Sequence, residues 1–372
     1  MRRLIILALT VGTSSRAQNA GIFYPAPHAS AVSVTQNVEY AAVDTGILRM
    51  DVYRPTARGA TKNPVLVFFT TGPQRANYAG LGRILASRGI VAVLGSLRSD
   101  SLARDFRAML TTVIARAATY GIDTARVAIF GASNGGFNSF PVAQDSLERR
   151  IKASVMYYSG AEVTRFRRDL PVLYIRAGLD RPFVNASVDS VVMRALAANA
   201  PITVVNYSGG HHSFEGTDDG VITRDLIDQT IDFVKRVTAP AYRAELVASV
   251  GYATAAAEVA AGDFRAAAAT YATLVARKPD DAQLRLSYGQ SLLADKQFEM
   301  ACSEFEKLRG KGLGPRDLGL PAASACLQKG DANLALAWLT SIPKQFLPAR
   351  VKDEPVFAPL RERPEFKALF EK

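Results

Sequence analysis

The sequence has few of the residues that commonly hold metals and cofactors. Its 372 residues include two cysteines, Cys302 and Cys326, and three histidines. Two cysteines offer too few ligands for a structural zinc site. The sequence also lacks a histidine–carboxylate cluster and a glycine-rich loop of the kind that cradles phosphates. We therefore expect neither a metal nor an organic cofactor.

Long apolar runs are missing too. The apolar run at residues 4–12 is far shorter than the roughly 20 residues that span a bilayer, and no later stretch could span one. It follows two arginines and precedes a cleavage site of small residues that ends at Ala17. This pattern predicts a signal peptide at residues 1–17, followed by an N-terminal extension at residues 18–31. We expect an exported protein, periplasmic or secreted, that does not span the membrane.

Export bears on the two cysteines, because disulfides persist in oxidising compartments. Cys302 and Cys326 both fall in sequence with a helical pattern. We expect two buried free thiols in helices, and a bridge between neighbouring helices is the alternative.

The charge of the chain is basic but not clustered. Lysine and arginine number 45 against 34 acidic residues, which gives a formal net charge of +11. The basic residues are scattered among acids, and no basic block is interleaved with aromatic residues. Nucleic-acid binding is therefore not expected.

The pattern of the sequence changes near Ala239 and Pro240. In residues 32–240, short runs rich in valine and isoleucine alternate with amphipathic stretches, which is typical of a doubly wound, mostly parallel α/β sheet. In residues 241–372, alanine-rich helical sequence replaces the strand-like runs. We expect two domains, the first α/β and the second all-α.

The helical part repeats with a period of 34 residues, which resembles tetratricopeptide repeats. A small residue, a large apolar residue and an aliphatic residue recur at this interval, although the third unit loses the aromatic. Gly289 stands where two helices of a repeat meet closely. The recurring positions are Ala267, Tyr271 and Leu274, then Ala301, Phe305 and Leu308, then Ala335, Leu339 and Ile342.

A serine stands at an abrupt turn in the first domain. The string Gly-Ala-Ser-Asn-Gly-Gly at residues 131–136 follows the apolar run 127–130, so Ser133 lies where a buried strand turns into a helix. The glycines at either side of this serine suit a nucleophile elbow, whose backbone is strained and closely packed. The motif predicts Ser133 as a nucleophile.

Two further strand ends carry the other groups that such a serine needs. Asp180 follows the strand-like run 171–175, and His211 and His212 follow the run 203–207. The order serine, acid, histidine is that of α/β-hydrolases, in which an imidazole takes the hydroxyl proton. We predict a triad of Ser133, Asp180 and His212.

Other residues remain as alternatives in these roles. His211 is the reserve base. Asp189, Asp218 and Asp219 are alternative acids, but Asp189 falls in a predicted helix and the other two follow the histidines. We rank all three below Asp180.

The elbow, the Gly-Leu-Asp segment at residues 178–180 and the His-Ser-Phe segment at residues 212–214 resemble α/β-hydrolases of the dienelactone-hydrolase-like or prolyl-oligopeptidase-like esterase group. The resemblance covers residues 32 to about 238 and favours His212, which stands two residues before the phenylalanine. It departs from the dienelactone hydrolases proper, which use a cysteine nucleophile, so their substrate does not carry over. The chain also has no room for the propeller of the oligopeptidases.

The oxyanion hole should combine two backbone N–H groups. One belongs to the residue after the nucleophile, Asn134, and the other to the loop after the third strand. Pro73 in that loop has no N–H to donate, so Gly72 or Thr71 must supply the second hydrogen bond.

These residues predict an exported serine hydrolase that cleaves carboxylic esters through an acyl-enzyme. Residues 158–171 are too few for a helical cap, which favours an open site and an ester-bearing small molecule or acylated polymer as substrate. The alternatives are a serine peptidase of the prolyl-oligopeptidase-like type, and a catalytically weak scaffold acting through its repeats. The helical repeats could also bind a protein partner.

Overall fold

The computed structural model describes residues 21–57 and 62–371. The chain divides into two compact units, Met1–Arg243 and Ala244–Lys372. This division lies close to the boundary predicted between residues 240 and 241. The predicted signal peptide lies outside the described residues, so export stays a prediction.

One sheet of eight strands organises the described residues of the first unit. Its strands are β1 (Val32–Val43), β2 (Gly46–Pro55), β3 (Asn63–Phe68), β4 (Val91–Gly95), β5 (Ile122–Ala132), β6 (Ile151–Tyr157), β7 (Val172–Ala177) and β8 (Ile202–Tyr207). They lie in the order β1-β2-β4-β3-β5-β6-β7-β8. The pairs β1/β2 and β2/β4 are antiparallel, and the remaining neighbours are parallel. The predicted fold class, a doubly wound and mostly parallel α/β sheet, is confirmed.

Helices connect these strands and cover the sheet. They are α1 (Gly72–Asn77), α2 (Ala79–Ser87), α3 (Leu102–Ala115), α4 (Ala117–Tyr120), α5 (Asn134–Gln144), α6 (Pro182–Ala197), α7 (Phe214–Thr217) and α8 (Val221–Val237). A 3-10 turn, Ala29–Ala31, precedes β1. Residues 158–171, between β6 and β7, contain no helix, so no cap is inserted there.

The central strands of the sheet are buried on both faces, and β3 shows how its sequence produces this. Leu66 and Phe68 point into a core shared with α2 and α8. Val65, Val67 and Phe69 belong to a second core shared with α3. Because successive side chains of a strand point to opposite faces, a continuous apolar run fills both cores. Each fully buried apolar side chain of this kind stabilises the fold by about 1.5–3 kcal/mol.

The second unit is helical, as predicted. Its helices are α9 (Pro240–Ala260), which begins just before the division, α10 (Phe264–Arg277), α11 (Ala282–Ala294), α12 (Phe298–Glu306), α13 (Pro315–Gln328), α14 (Ala332–Thr340) and α15 (Pro364–Lys367). Three 3-10 turns, Lys344–Phe346, Ala349–Lys352 and Pro355–Leu360, lie between α14 and α15. No helix in the described ranges is long and apolar enough to cross a membrane.

The positions that repeat along the sequence of this unit are all buried. Gly289 of α11 lies against Phe305 of α12, where a Cβ on the glycine would stand 2.6 Å from the ring. Asp263 and Asp331 are the N-cap residues of α10 and α14. Each carboxylate accepts a hydrogen bond from the backbone N–H three residues later. The assignment to tetratricopeptide repeats stays a prediction.

The expectation of two free thiols is wrong. Cys302 of α12 and Cys326 of α13 form a disulfide, with their Cα atoms 4.9 Å apart. The two helices pack against each other in one core cluster, which brings the cysteines within the distance that a disulfide requires. Helical periodicity places both cysteines on buried faces, but it does not reveal the register between two helices.

Candidate active site

The turn between β5 and α5 holds the serine in a strained conformation. Ser133 has backbone angles of φ 51° and ψ −128°, a conformation that residues other than glycine rarely adopt. Close packing explains the glycines on either side of it. A Cβ on Gly131 would stand 2.6 Å from the Cα of Gly136, and one on Gly135 would stand 2.4 Å from the carbonyl oxygen of Phe69. The turn therefore has the geometry of a nucleophile elbow.

The structure brings the three residues of the predicted triad together. The Nε2 atom of His212 lies 2.9 Å from Oγ of Ser133. Its Nδ1 atom lies 2.6 Å from Oδ2 of Asp180. The carboxylate of Asp180 accepts a hydrogen bond from Nδ1–H, which leaves Nε2 free to accept the hydroxyl proton of Ser133.

Neighbouring groups hold the acid and the imidazole in place. The side chain of Asp180 is fully buried, and its Oδ1 atom accepts a hydrogen bond of 2.7 Å from the backbone N–H of Arg181. The ring of Tyr158 packs against His212 with centroids 4.6 Å apart. The Nη2 atom of Arg181 lies 3.4 Å from Nδ1 and 3.5 Å from Nε2 of His212. Tyr158 and Arg181 thus both contact the imidazole.

The alternative residues have other partners. His211, the reserve base, is exposed and lies 3.1 Å from the carboxylate of Asp218. Asp189 lies on α6 and pairs with Arg176 at 2.7 Å. Asp219 pairs with an arginine of α8. None of these alternatives is bonded to Ser133 or His212 within the described part of the chain.

The predicted oxyanion donors differ in their availability. Asn134 is the first residue of α5, where the N–H groups of the first turn have no acceptor within the helix. The N–H of Thr71 donates instead to Oε1 of Gln74 at 3.1 Å. Gly72 is the first residue of α1, so its N–H is not needed by that helix. The geometry favours Asn134 and Gly72 over Thr71.

Ser133 and His212 lie at the wall of a cavity of about 410 Å³. Sequence reasoning missed most of its lining, because these side chains come from four separate segments and share no motif. The N-terminal extension contributes Gly21 and Ile22, and Ile22 also belongs to the core of the first unit. Other lining residues are Gln74, Asn77, Tyr78, Tyr158, Glu215 and Thr217.

Glu215 is the buried carboxyl of this cavity, with 3% of its surface exposed. Its Oε1 atom accepts hydrogen bonds from the hydroxyls of Tyr158 and Tyr78. Burial raises the pKa of Glu215, while the hydrogen bond from Tyr158 opposes this rise. Burial and the nearby Glu215 also raise the pKa of both tyrosines well above the usual value, so both are hydroxyl donors at neutral pH.

The described ranges contain no group of three or more histidine, cysteine or acidic side chains that could hold a metal ion. The cavity is lined mainly by hydroxyl, amide and aromatic side chains beside one histidine and one carboxyl. Its chemistry therefore suits proton transfer and nucleophilic attack by the side chains themselves.

A mostly parallel sheet whose strand ends carry a serine on a strained turn, an acid and a histidine defines the class of α/β-hydrolases. Residues 78–246 match the sequence model of the dienelactone hydrolase family. The matched stretch contains Ser133, Asp180 and His212. The protein is a hydrolase.

Several solved esterases are similar in structure to part of this chain. One of two fungal esterases from Rhizomucor miehei is 16% identical to this chain, with a TM-score of 0.49. The match covers 60% of this chain and 89% of the esterase chain. A bacterial heroin esterase is 14% identical, with coverages of 56% and 85% and a TM-score of 0.48. An esterase from Pyrobaculum calidifontis is 17% identical, with coverages of 55% and 84% and a TM-score of 0.46. Among curated proteins, none matches this sequence.

Proposed function

We propose that the protein hydrolyses carboxylic esters through an acyl-enzyme, with Ser133, His212 and Asp180 as the catalytic triad. The observation that carries this proposal is the continuous chain of hydrogen bonds from Asp180 through His212 to Ser133. The family match supports hydrolysis, and the strained turn supports Ser133 as the nucleophile.

The reaction follows from the positions of the protons. His212 Nε2 takes the proton of Ser133 while Oγ attacks the ester carbonyl, and Asp180 stabilises the imidazolium that forms. His212 then gives the proton to the alcohol that leaves, and Ser133 stays acylated. A water molecule, deprotonated by His212, attacks the acyl group and releases the carboxylic acid with a free Ser133.

The tetrahedral intermediate carries negative charge that backbone N–H groups must stabilise. Asn134 and Gly72 have N–H groups that their helices do not use, whereas Thr71 donates to Gln74. Losing one such donor costs about 2.7–4 kcal/mol of transition-state stabilisation. We therefore assign the hole to Asn134 and Gly72.

The substrate is an ester-bearing small molecule or an acylated polymer. No cap is inserted between β6 and β7, which favours accessible esters over chains sealed beneath a lid. We further propose that the protein acts after export, periplasmic or secreted, and that the helical unit offers a surface for a protein partner. The short apolar run near the start of the sequence supports export, and the predicted repeats support a partner.

The test is hydrolysis of short-chain p-nitrophenyl esters by the wild type and by Ser133→Ala, His212→Ala and Asp180→Asn. We expect the serine and histidine variants to lose about 10⁶-fold in kcat and the aspartate variant about 10⁴-fold, because the triad acts as a unit. The measurement is the initial rate of p-nitrophenol release at matched concentrations of folded protein.

His211→Ala and Asp218→Asn are the matched controls, since they change a neighbouring histidine and its own carboxylate partner. Both should keep activity within a few fold of the wild type. Full activity of Ser133→Ala, or loss in His211→Ala but not in His212→Ala, would contradict the assignment. Parallel rates on an anilide of the same acyl group would detect a peptidase.

A further inference from the structure

Glu215 is the buried group of the cavity that the triad does not use. Its Oε1 atom accepts both tyrosine hydroxyls, from Tyr158 and Tyr78. Its Oε2 atom is also buried, yet it has no hydrogen-bond partner within residues 21–57 and 62–371. A buried carboxyl oxygen without a partner is costly, so it marks a place where another donor is expected to bind.

The location of Glu215 ties that donor to the substrate. Glu215 lies three residues after His212, on the short helix α7, and both residues line the same cavity as Ser133. The ring of Tyr158, which donates to Glu215, also packs against the imidazole of His212. An ester bound at Ser133 therefore occupies the cavity whose wall includes Glu215.

The neighbours of Glu215 indicate a hydroxyl as the donor. The cavity is lined by the amides of Gln74 and Asn77 and the hydroxyls of Ser213 and Thr217, and its lining among the described residues includes no lysine or arginine. Burial raises the pKa of Glu215, because the charged form of the carboxyl is stabilised less in the enclosed site than in water. A hydroxyl group can bond with either protonation state of a carboxyl.

We propose that Glu215 is a specificity-determining residue that hydrogen-bonds a hydroxyl group of the substrate, so that hydroxylated esters are preferred over plain esters of the same size. This inference rests on the proposed ester hydrolysis at Ser133. It deepens that function by naming the substrate class, which is hydroxyacyl esters or esters of polyols.

The experiment compares matched pairs of esters. Ethyl 3-hydroxybutyrate and ethyl butyrate place the hydroxyl on the acyl side, whereas 2,3-dihydroxypropyl acetate and propyl acetate place it on the alcohol side. The wild type should show a kcat/KM ratio of about tenfold or more in favour of the hydroxylated member of at least one pair. Glu215→Met should lower that ratio to near one, because it removes the acceptor and keeps the volume.

A ratio between two substrates separates recognition from a structural role, since damage to the triad lowers both rates together. Glu215→Gln serves if the methionine variant does not fold, and its amide oxygen should retain part of the preference. Glu162→Met makes the same change at an exposed glutamate outside the cavity and should leave the ratio unchanged.

Two results would overturn the inference. In the first, the wild type hydrolyses all four esters without a preference in either pair. In the second, the preference persists in Glu215→Met and Glu215→Gln while both members of a pair lose rate equally. Failure of the wild type to hydrolyse any ester would instead contradict the proposed function, and the inference with it.

Discussion

The sheet unit and the helical unit differ in the distance along the chain between the residues that they bring together. In the sheet unit, His212 bonds to Ser133 across 79 positions of sequence. In the helical unit, Gly289 packs against Phe305 of the next helix. A catalytic site that needs several side chains from distant parts of the sequence is therefore expected in the sheet unit. The helical unit is built mainly from contacts between helices that follow one another in the sequence.

The two units also differ in the interactions that stabilise each of them internally. The central parallel strands of the sheet unit are buried on both faces, and the carboxyl ends of the parallel strands present the loops that carry the site. The helical unit has, besides its buried core, a disulfide between Cys302 and Cys326 and aspartate caps at helix starts. A substitution that impairs ester hydrolysis in the sheet unit is thus expected to leave the stability of the helical unit unchanged. A substitution that destabilises the helical unit is likewise expected to leave ester hydrolysis unchanged.

Matched glycine substitutions should separate the units most strongly. Gly131→Ala places a Cβ 2.6 Å from the backbone of Gly136 and must move the elbow, so kcat/KM should fall by about 100-fold or more. Gly289→Ala places a Cβ 2.6 Å from the ring of Phe305, so it should destabilise the helical unit by about 1–3 kcal/mol and leave ester hydrolysis unchanged. The measurements are steady-state kinetics and urea unfolding of both variants. Equal losses of activity would contradict the separation.

Removal of the disulfide should have the next largest effect. The bridge joins residues separated by 24 positions, and breaking it should lower the free energy of unfolding of the helical unit by about 2–4 kcal/mol. The double variant Cys302→Ala and Cys326→Ala tests this by urea unfolding, while ester hydrolysis should persist. Dithiothreitol should shift the unfolding of the wild type but not that of the variant. An unchanged unfolding midpoint in the variant would refute a stabilising role.

The helix caps should give the smallest effect. Asp263→Ala and Asp331→Ala each remove a carboxylate that accepts a backbone N–H, and each should cost about 1 kcal/mol of stability. Asp331→Asn is the control, because asparagine caps a helix almost as well and should leave stability unchanged. The readout is again the unfolding of the helical unit. A loss as large in the asparagine variant would mean that charge, and not capping, stabilises the helix.

The sequence predicted the fold class and indicated which three residues the sheet would bring together. It could do so because strand ends are local features, and in a parallel sheet the carboxyl ends meet at one edge. Ser133, Asp180 and His212 each follow an apolar run that proved to be a strand. The catalytic roles of these residues stay a prediction that the variants above test.

The sequence alone did not reveal the rest of the site. Glu215 and Tyr78 meet across 137 positions, and neither belongs to a motif. The sequence made Thr71 a candidate oxyanion donor, but it did not show that the backbone N–H of Thr71 donates to Oε1 of Gln74. The cysteines were expected to be free, and the sequence could not reveal their bridge because the register between α12 and α13 cannot be deduced from helical periodicity.

Local propensity and periodicity thus determined the strands, the helices and the turn that bears Ser133. Tertiary structure alone decided which side chains line the cavity, which N–H groups stay free and which cysteines bond. The physical reason is that hydrogen bonds between remote side chains depend on positions within a few tenths of an ångström, and only the packing of the folded chain sets those positions.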